Sequence, residues 1–391
     1  MNDISSAYIH IPFCKSKCPY CDFISYAGVE DRTTDYLVAL CKEIELTSLL
    51  TDTIEHDERV ATAGLQTVYI GGGTPSLLSA GQIKRIIESL SRAFPISSGA
   101  EITVEVNPGT VNSDLIKGYV DAGINRISIG IQSFSDKLLQ LLGRIHTREQ
   151  GISAIDYSKE AGLSNISCDL MIGLPGQSTI DAMDSLDILI EKEIPHISIY
   201  SLSLEDGTPF QKKYSRSIDD LAPPEIEREM YQSLIQRLKE RGYCHYEISN
   251  LSLPGFESRH NTTYWKARPY FGFGCAAHSY RGGSRIENTS DLNRYISVLC
   301  GRNPSLQDII EDKVEIDASE EQKEFMLLGL RLLQGVSGDE YEKRFGKCMD
   351  ESFGTVLEKH LITGLLERCK NQIRLSRTGI DFANIVFRDF V

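Results

Sequence analysis

Three of the ten cysteines are bunched, in Cys14-Lys-Ser-Lys-Cys18-Pro-Tyr-Cys21, while the other seven are scattered at 41, 168, 244, 275, 300, 348 and 369. The spacing is C-x3-C-x2-C. A structural zinc site closes with four ligands, normally as two close pairs, and no second pair follows here. Cubane iron–sulfur clusters take four thiolates. Three thiolates leave one iron open, and the amine and carboxylate of a small molecule can fill it. The residues therefore point to a [4Fe–4S] cluster on Cys14, Cys18 and Cys21 with a ligand at the fourth iron. The scattered cysteines read as reduced thiols that pack as small hydrophobes.

The remaining polar and Gly-rich words have a shared position. Gly71-Gly72-Gly73-Thr74, Glu105-Val-Asn-Pro, Gly130-Ile-Gln132, Gly143-Arg144, Asp169-Leu-Met-Ile-Gly and Ser201-Leu-Ser203 stand at or beyond the ends of β-branched runs. Those runs cover 7–12, 65–70, 101–106, 126–131, 165–172 and 196–202. Amphipathic stretches follow at 33–50, from 79, from 113, at 137–142 and 148–161, from 179, and at 225–241. Strand, loop and helix in alternation predict parallel βα units. Six of them predict an α/β fold, a partial (βα)6 TIM-like barrel of parallel strands, with chemistry at the strand C-terminal ends.

Three domains are expected: the barrel over 1–246, an irregular substrate segment over 247–317, and a C-terminal module over 318–391. The last reads as a helix at 320–333, a turn, two shorter helices, a hairpin of 365–369 with 373–375, and a helix after Arg377. That order predicts a winged-helix-like α+β module. It carries 11 Lys/Arg against 12 Asp/Glu over 319–391, and the whole chain has a formal charge of −14. Both argue against nucleic-acid binding, which needs clustered cations. No apolar run reaches the ~18 residues of a membrane span, and no secretory leader is visible, so a cytoplasmic location is expected.

The cysteine loop, placed after the first strand, resembles the signature of the radical SAM superfamily. Tyr8-Ile-His-Ile-Pro-Phe-Cys14, Gly71-Gly-Gly-Thr-Pro-Ser76, Glu105-Val-Asn-Pro108, Gly130-Ile-Gln-Ser-Phe134, Gly143-Arg144 and Asp169-Leu-Met-Ile-Gly-Leu-Pro175 narrow it to the coproporphyrinogen-oxidase-like branch. The resemblance covers nearly the whole chain. It implies that the small molecule is S-adenosylmethionine (SAM), and it implies a set of contacts for it. Gly72, Gly73 and Thr74 would meet its methionyl end, Tyr8 would touch it, and Tyr20 would pack near the adenine. Glu105, Gln132, Arg144 and Asp169 would line the pocket, with Ser203 beside them.

That branch holds oxygen-independent coproporphyrinogen III oxidases and haem chaperones of the HemW kind. Oxidases continue the loop as C-x3-C-x2-C-x-C, and Phe23 stands at that extra position here. Oxidases also carry a long arm before the first strand, and the first strand here starts by Ala7. Arg259-His260-Asn261-Thr262-Thr263-Tyr264-Trp265 contains H-N-x-x-Y-W, a word associated with the chaperones. The resemblance thus implies a haem-transfer protein, with no residue assigned a catalytic role and the oxidase as alternative. Its implied partners are haem and recipient haem proteins, respiratory ones among them, with peripheral membrane contact and a homodimer compatible. Neutral imidazole is a good haem ligand. His260, in an irregular loop, is the expected one, with His10 and His278 as rivals.

Overall fold

The computed structural model describes residues 3–51, 60, 64–215 and 221–391. Its centre is one nine-stranded sheet. In chain order the strands are β1 (Ser6–Ile11), β2 (Leu65–Gly72), β3 (Ile96–Val106), β4 (Arg126–Gln132), β5 (Asn165–Ile172), β6 (His196–Ser201), β7 (Cys244–Glu247), β8 (Asn250–Ser252) and β9 (Phe271–Phe273). The spatial order is β9-β1-β2-β3-β4-β5-β6-β8-β7. The first seven in that row run parallel, and β8 pairs antiparallel with both β6 and β7.

Helices α1 (Thr33–Thr51), α2 (Ala80–Ala93), α3 (Ser113–Asp121), α4 (Asp136–Leu141), α5 (Arg148–Glu160), α6 (Thr179–Glu191), α7 (Pro209–Tyr214) and α8 (Pro224–Glu240) follow the parallel strands. Local signals start them where the sequence expects. Ser79, Thr147 and Ser178 each close a capping box at the heads of α2, α5 and α6, satisfying N–H groups the first turn leaves free. The strands' outward Ile, Val and Leu residues pack with these helices into one large core. Their inward residues are polar, including Ser6, Thr67, Glu101, Thr103, Arg126, Ser128, Ser167, His196 and Ser198. The partial barrel thus has a greasy outside and a polar lumen.

The segment 247–317 differs from expectation. It is regular, and the boundary placed at 246 falls inside the sheet. Strand β9 pairs with β1, and Leu251, Phe271, Phe273, Tyr295 and Ile296 belong to the barrel's own core. A helix, α9 (Arg259–Trp265), and a three-stranded sheet of His278–Arg281, Ser284–Asn288 and Ile310–Glu315 complete the segment. All but the last of its strands are three to five residues long, too short to show an alternation, so the sequence hides them.

Helix α9 shows that the sheet curves around it. Thr263 Oγ1 meets Ser6 Oγ of β1 at 3.0 Å, and Glu101 of β3 accepts from the N–H groups of Arg259 and His260. Tyr246, on the far-edge strand β7, joins His196 of β6 at 2.8 Å and accepts from the Ser258 N–H. Ser6 and His196 open their strands, and Glu101 is level with Thr67 near the start of β2. The helix plugs the floor of the barrel.

The C-terminal module follows the helix–strand–helix–helix–hairpin order of a winged helix. Its helices are Ala318–Gly329, Gly338–Phe345 and Met349–Ile362, and its strands Val336–Ser337, Leu366–Cys369 and Gln372–Leu375. It has its own small core around Phe325, Tyr341 and Leu357. Among the described residues, no helix is long and apolar enough to cross a membrane.

Candidate functional site

At the C-terminal end of β1, Phe13 and Cys14 run parallel to Tyr26 and Ala27. This two-residue ladder closes a loop that carries all three bunched cysteines, each half-buried. Inside it the Cys21 N–H donates to the Cys18 carbonyl at 3.1 Å. The next strand end fits against the loop through Gly73. A Cβ there would lie 2.6 Å from the Phe13 carbonyl oxygen and 3.1 Å from Cys14 Sγ, so only glycine permits the approach.

The sulfurs attract donors from several elements. Thr74 Oγ1 donates to Cys14 Sγ at 3.5 Å. Arg144 points Nη1 at Cys18 Sγ, 3.8 Å away, while its Nη2 is fixed on the Gly130 carbonyl at 2.8 Å. Burial pushes the Cys21 thiol up, and the Phe23 N–H offsets part of that. Such donors stabilise thiolates, the form that binds metal. Among the described residues no three His, Cys, Asp or Glu side chains are grouped to share one metal ion. Three thiolates on a glycine-backed loop, with Thr74 and Arg144 aimed at two of their sulfurs, fit a [4Fe–4S] cluster.

Beside the loop, Glu105 ends the inner face of β3. Tyr69 OH donates to its Oε1 at 2.7 Å and the Gly72 N–H to its Oε2 at 3.1 Å. Burial raises its pKa to about 7, Asp169 adds to the rise, and the Tyr69, Gly72 and Arg126 groups oppose it. Asp169 is likewise pushed up by burial, relieved by a Ser198 hydrogen bond and the charges of Arg126 and Arg144. Gln132 holds a left-handed backbone, φ 65°, a costly conformation for a non-glycine residue and common at ligand sites. Tyr20 sits against Arg144 and Cys18 with its ring edge-on to Phe210 at 6.1 Å.

His10 donates from Nε2 to the Ile24 carbonyl at 3.0 Å, so its Nδ1 accepts from Tyr8 OH at 2.9 Å. A Cβ on Gly72 would lie 2.6 Å from the His10 ring. Cys14, Cys18, Cys21, Tyr20, Gly72, Gly73, Thr74, Glu105 and Arg144 thus form one contact network, with Tyr8, Gln132 and Asp169 at the same end of the barrel. Ser203 is exposed on the loop leaving β6, outside that network. These carboxylates, glycines and donors fit a small molecule carrying both amine and carboxylate. A cluster with SAM bound there supplies one-electron chemistry.

Two residues were missed from sequence. Tyr69 precedes Gly71 by two on β2, so strand alternation already places it on the lumen face. Arg126 begins β4, is 2% exposed, and its Nε makes no hydrogen bond. Its charge bears on Glu105, Asp169 and His260 together, and nothing in the sequence marks it.

The expected placement of His260 requires correction. It lies in helix α9 and not in an irregular loop, and is 1% exposed. Thr67 Oγ1 holds Nδ1 at 2.8 Å and Tyr264 OH holds Nε2 at 2.7 Å. Its ring stacks on Tyr69 with centroids 5.0 Å apart. Burial, aided by Arg126, pushes its pKa down to about 3. Both nitrogens are used by the barrel floor, at the opposite end of the strands from the cysteine loop.

Comparison with known proteins agrees with this architecture. The radical SAM superfamily model matches residues 8–189 and the HemN C-terminal domain model 316–382. The haem chaperone HemW of Bacillus subtilis (strain 168) is 36% identical over 389 residues, covering 99% of both chains. The haem chaperone HemW of Escherichia coli (strain K12) is 35% identical, covering 99% of this chain and 98% of that one. This chain belongs to the HemW family.

The fold comparison reaches a solved oxidase as well. The coproporphyrinogen III oxidase HemN of Escherichia coli, described as a radical SAM enzyme, superimposes with a TM-score of 0.82. It is 21% identical and covers 100% of this chain and 90% of its own. This chain and that HemN therefore share the fold from end to end, and the fold alone does not separate them.

Proposed function

We propose that this HemW-family chain is a haem chaperone that retains a [4Fe–4S] cluster and a SAM pocket, and passes haem to recipient haem proteins. The single observation that carries it is end-to-end similarity to proteins named haem chaperone HemW. Cys14, Cys18 and Cys21 hold the cluster, and Tyr8, Tyr20, Gly72, Gly73, Thr74, Glu105, Gln132, Arg144 and Asp169 hold SAM. The exposed Phe23 supports carriage over porphyrinogen oxidation, because it stands at the position of the oxidases' extra cysteine. The protein works in the cytoplasm, where respiratory haem proteins are accessible recipients at the membrane face.

The test is anaerobic incubation of the cluster-loaded, reduced protein with SAM and coproporphyrinogen III, with products identified by mass spectrometry. The expected result is no decarboxylated porphyrinogen, alongside saturable uptake of haemin in a parallel titration. Steady conversion of coproporphyrinogen would assign the chain to the oxidases.

A further inference from the structure

We propose that His278 is the axial ligand of the haem iron, on the open rim of the barrel, with Phe23 and Ile24 offering apolar contact to the porphyrin. The placement rests on the haem-chaperone reading above.

A haem ligand needs a neutral imidazole with a free nitrogen that a large planar ligand can reach. Seven of the eight histidines lie among the described residues, and six of these are committed elsewhere. His10, His196 and His260 are buried with both ring nitrogens in hydrogen bonds. His146 and His360 are buried and bonded through Nε2, to the Ile131 carbonyl and to Asp389. His245 shares its Nε2 between Tyr231 and the Ile248 carbonyl. His278 stands apart. Its side chain is 57% exposed, and the nearest ionic partner is Glu287 Oε1, 3.9 Å from Nε2.

The fold carries that ring to the rim. His278 opens the strand His278–Arg281, opposite Glu287. The strand lies on β9 at Gly272, where a Cβ would meet the His278 carbonyl oxygen at 1.9 Å. β9 in turn pairs with β1, aligning Gly272 with Tyr8. His278 is therefore level with Tyr8, midway along β1, and close enough to His10 to bear on its protonation. His10 also holds the Ile24 carbonyl, which brings the tip of the cysteine loop to the same ring. Phe23 is 67% exposed and Ile24 36%. An exposed imidazole and two exposed apolar side chains thus flank one buried histidine. A porphyrin asks for this combination: iron–nitrogen coordination and apolar area against its face. Glu287, within reach of the second ring nitrogen, can orient the ligand as carboxylates orient metal-bound histidines.

Haemin titration followed by absorbance and electron paramagnetic resonance tests this, using full-length wild type, His278→Ala, Phe23→Ser and His260→Ala. His278→Ala should lose the wild-type low-spin signature and bind haemin at least tenfold more weakly, and added imidazole should restore the spectrum. Phe23→Ser should weaken binding severalfold with the spectrum unchanged. His260→Ala should melt earlier yet keep the wild-type signature. Unchanged spectrum and affinity in His278→Ala, with wild type binding normally, overturn the placement alone. Absence of haemin binding by the wild type overturns the placement together with the chaperone reading.

Discussion

Burial and hydrogen bonding pull the proton of Glu105 in opposite directions, and burial prevails. Its pKa of about 7 exceeds the value near 4.5 that it has when unfolded, so the folded state favours the protonated form. Stability from this group is full below pH 4.5 and is lost as pH rises through 7. Glu105→Gln should therefore stabilise the cofactor-free protein by about 1–3 kcal/mol at pH 8 and hardly at all at pH 4.5, read by urea denaturation. The same carboxylate is placed to accept from SAM. Glu105→Ala and Asp169→Ala should each weaken SAM binding about tenfold or more by calorimetry, with the cluster still assembling. Cys18→Ala should instead lose the cluster, because two thiolates cannot retain a cubane; four irons per chain in that variant would contradict the assignment. At this scale the sequence was most readable. The cysteine triplet and Gly72-Gly73-Thr74 carry their purpose in type and spacing, whereas Arg126 matters only through neighbours that folding brings to it.

Helix α9 shows where an element's purpose escapes its sequence. Its H-N-x-x-Y-W word looked like a ligand loop, because seven residues give too few turns to display a helical period. Its side chains read as functional when they are the floor's connections to β1, β2 and β3. His260→Ala removes two buried hydrogen bonds and a stacked ring, which should cost about 3–5 kcal/mol. That cost should shrink in acid. The folded pKa of about 3 lies below the 6.5 of an unfolded histidine, so the wild type loses the advantage as pH falls from 6.5 toward 3. At pH 5 the gap between wild type and variant should be about 2 kcal/mol smaller than at pH 7.5, measurable by chemical denaturation at both values. The six strand–helix repeats were readable because their strands are long, β-branched and followed by capped helices. Strands β7 to β9 were not, being three or four residues long and dependent on partners far away in sequence.

The whole molecule joins a cofactor end, a plugged floor and a C-terminal module, and the module grips the plug. Arg344 donates to the carbonyls of Lys266 and Ala267 at 3.3 and 2.8 Å, and pairs with Glu321. The Arg331 guanidinium lies 4.3 Å over the Trp265 ring, and the Leu333 N–H bonds the Tyr246 carbonyl at 3.0 Å. Arg344→Ala should therefore destabilise the barrel and module together, by about 1–3 kcal/mol, in one cooperative unfolding transition. Fold class and module order were legible from sequence; this coupling was not, because it joins residues some 80 positions apart. The central claim is that such a molecule carries haem while keeping its iron–sulfur site. Haemin titration of the cluster-loaded wild type tests it most directly. The expected result is saturation with a low-spin, histidine-type spectrum and no loss of cluster iron. Absence of saturable haemin uptake by protein that holds its cluster and binds SAM would contradict it.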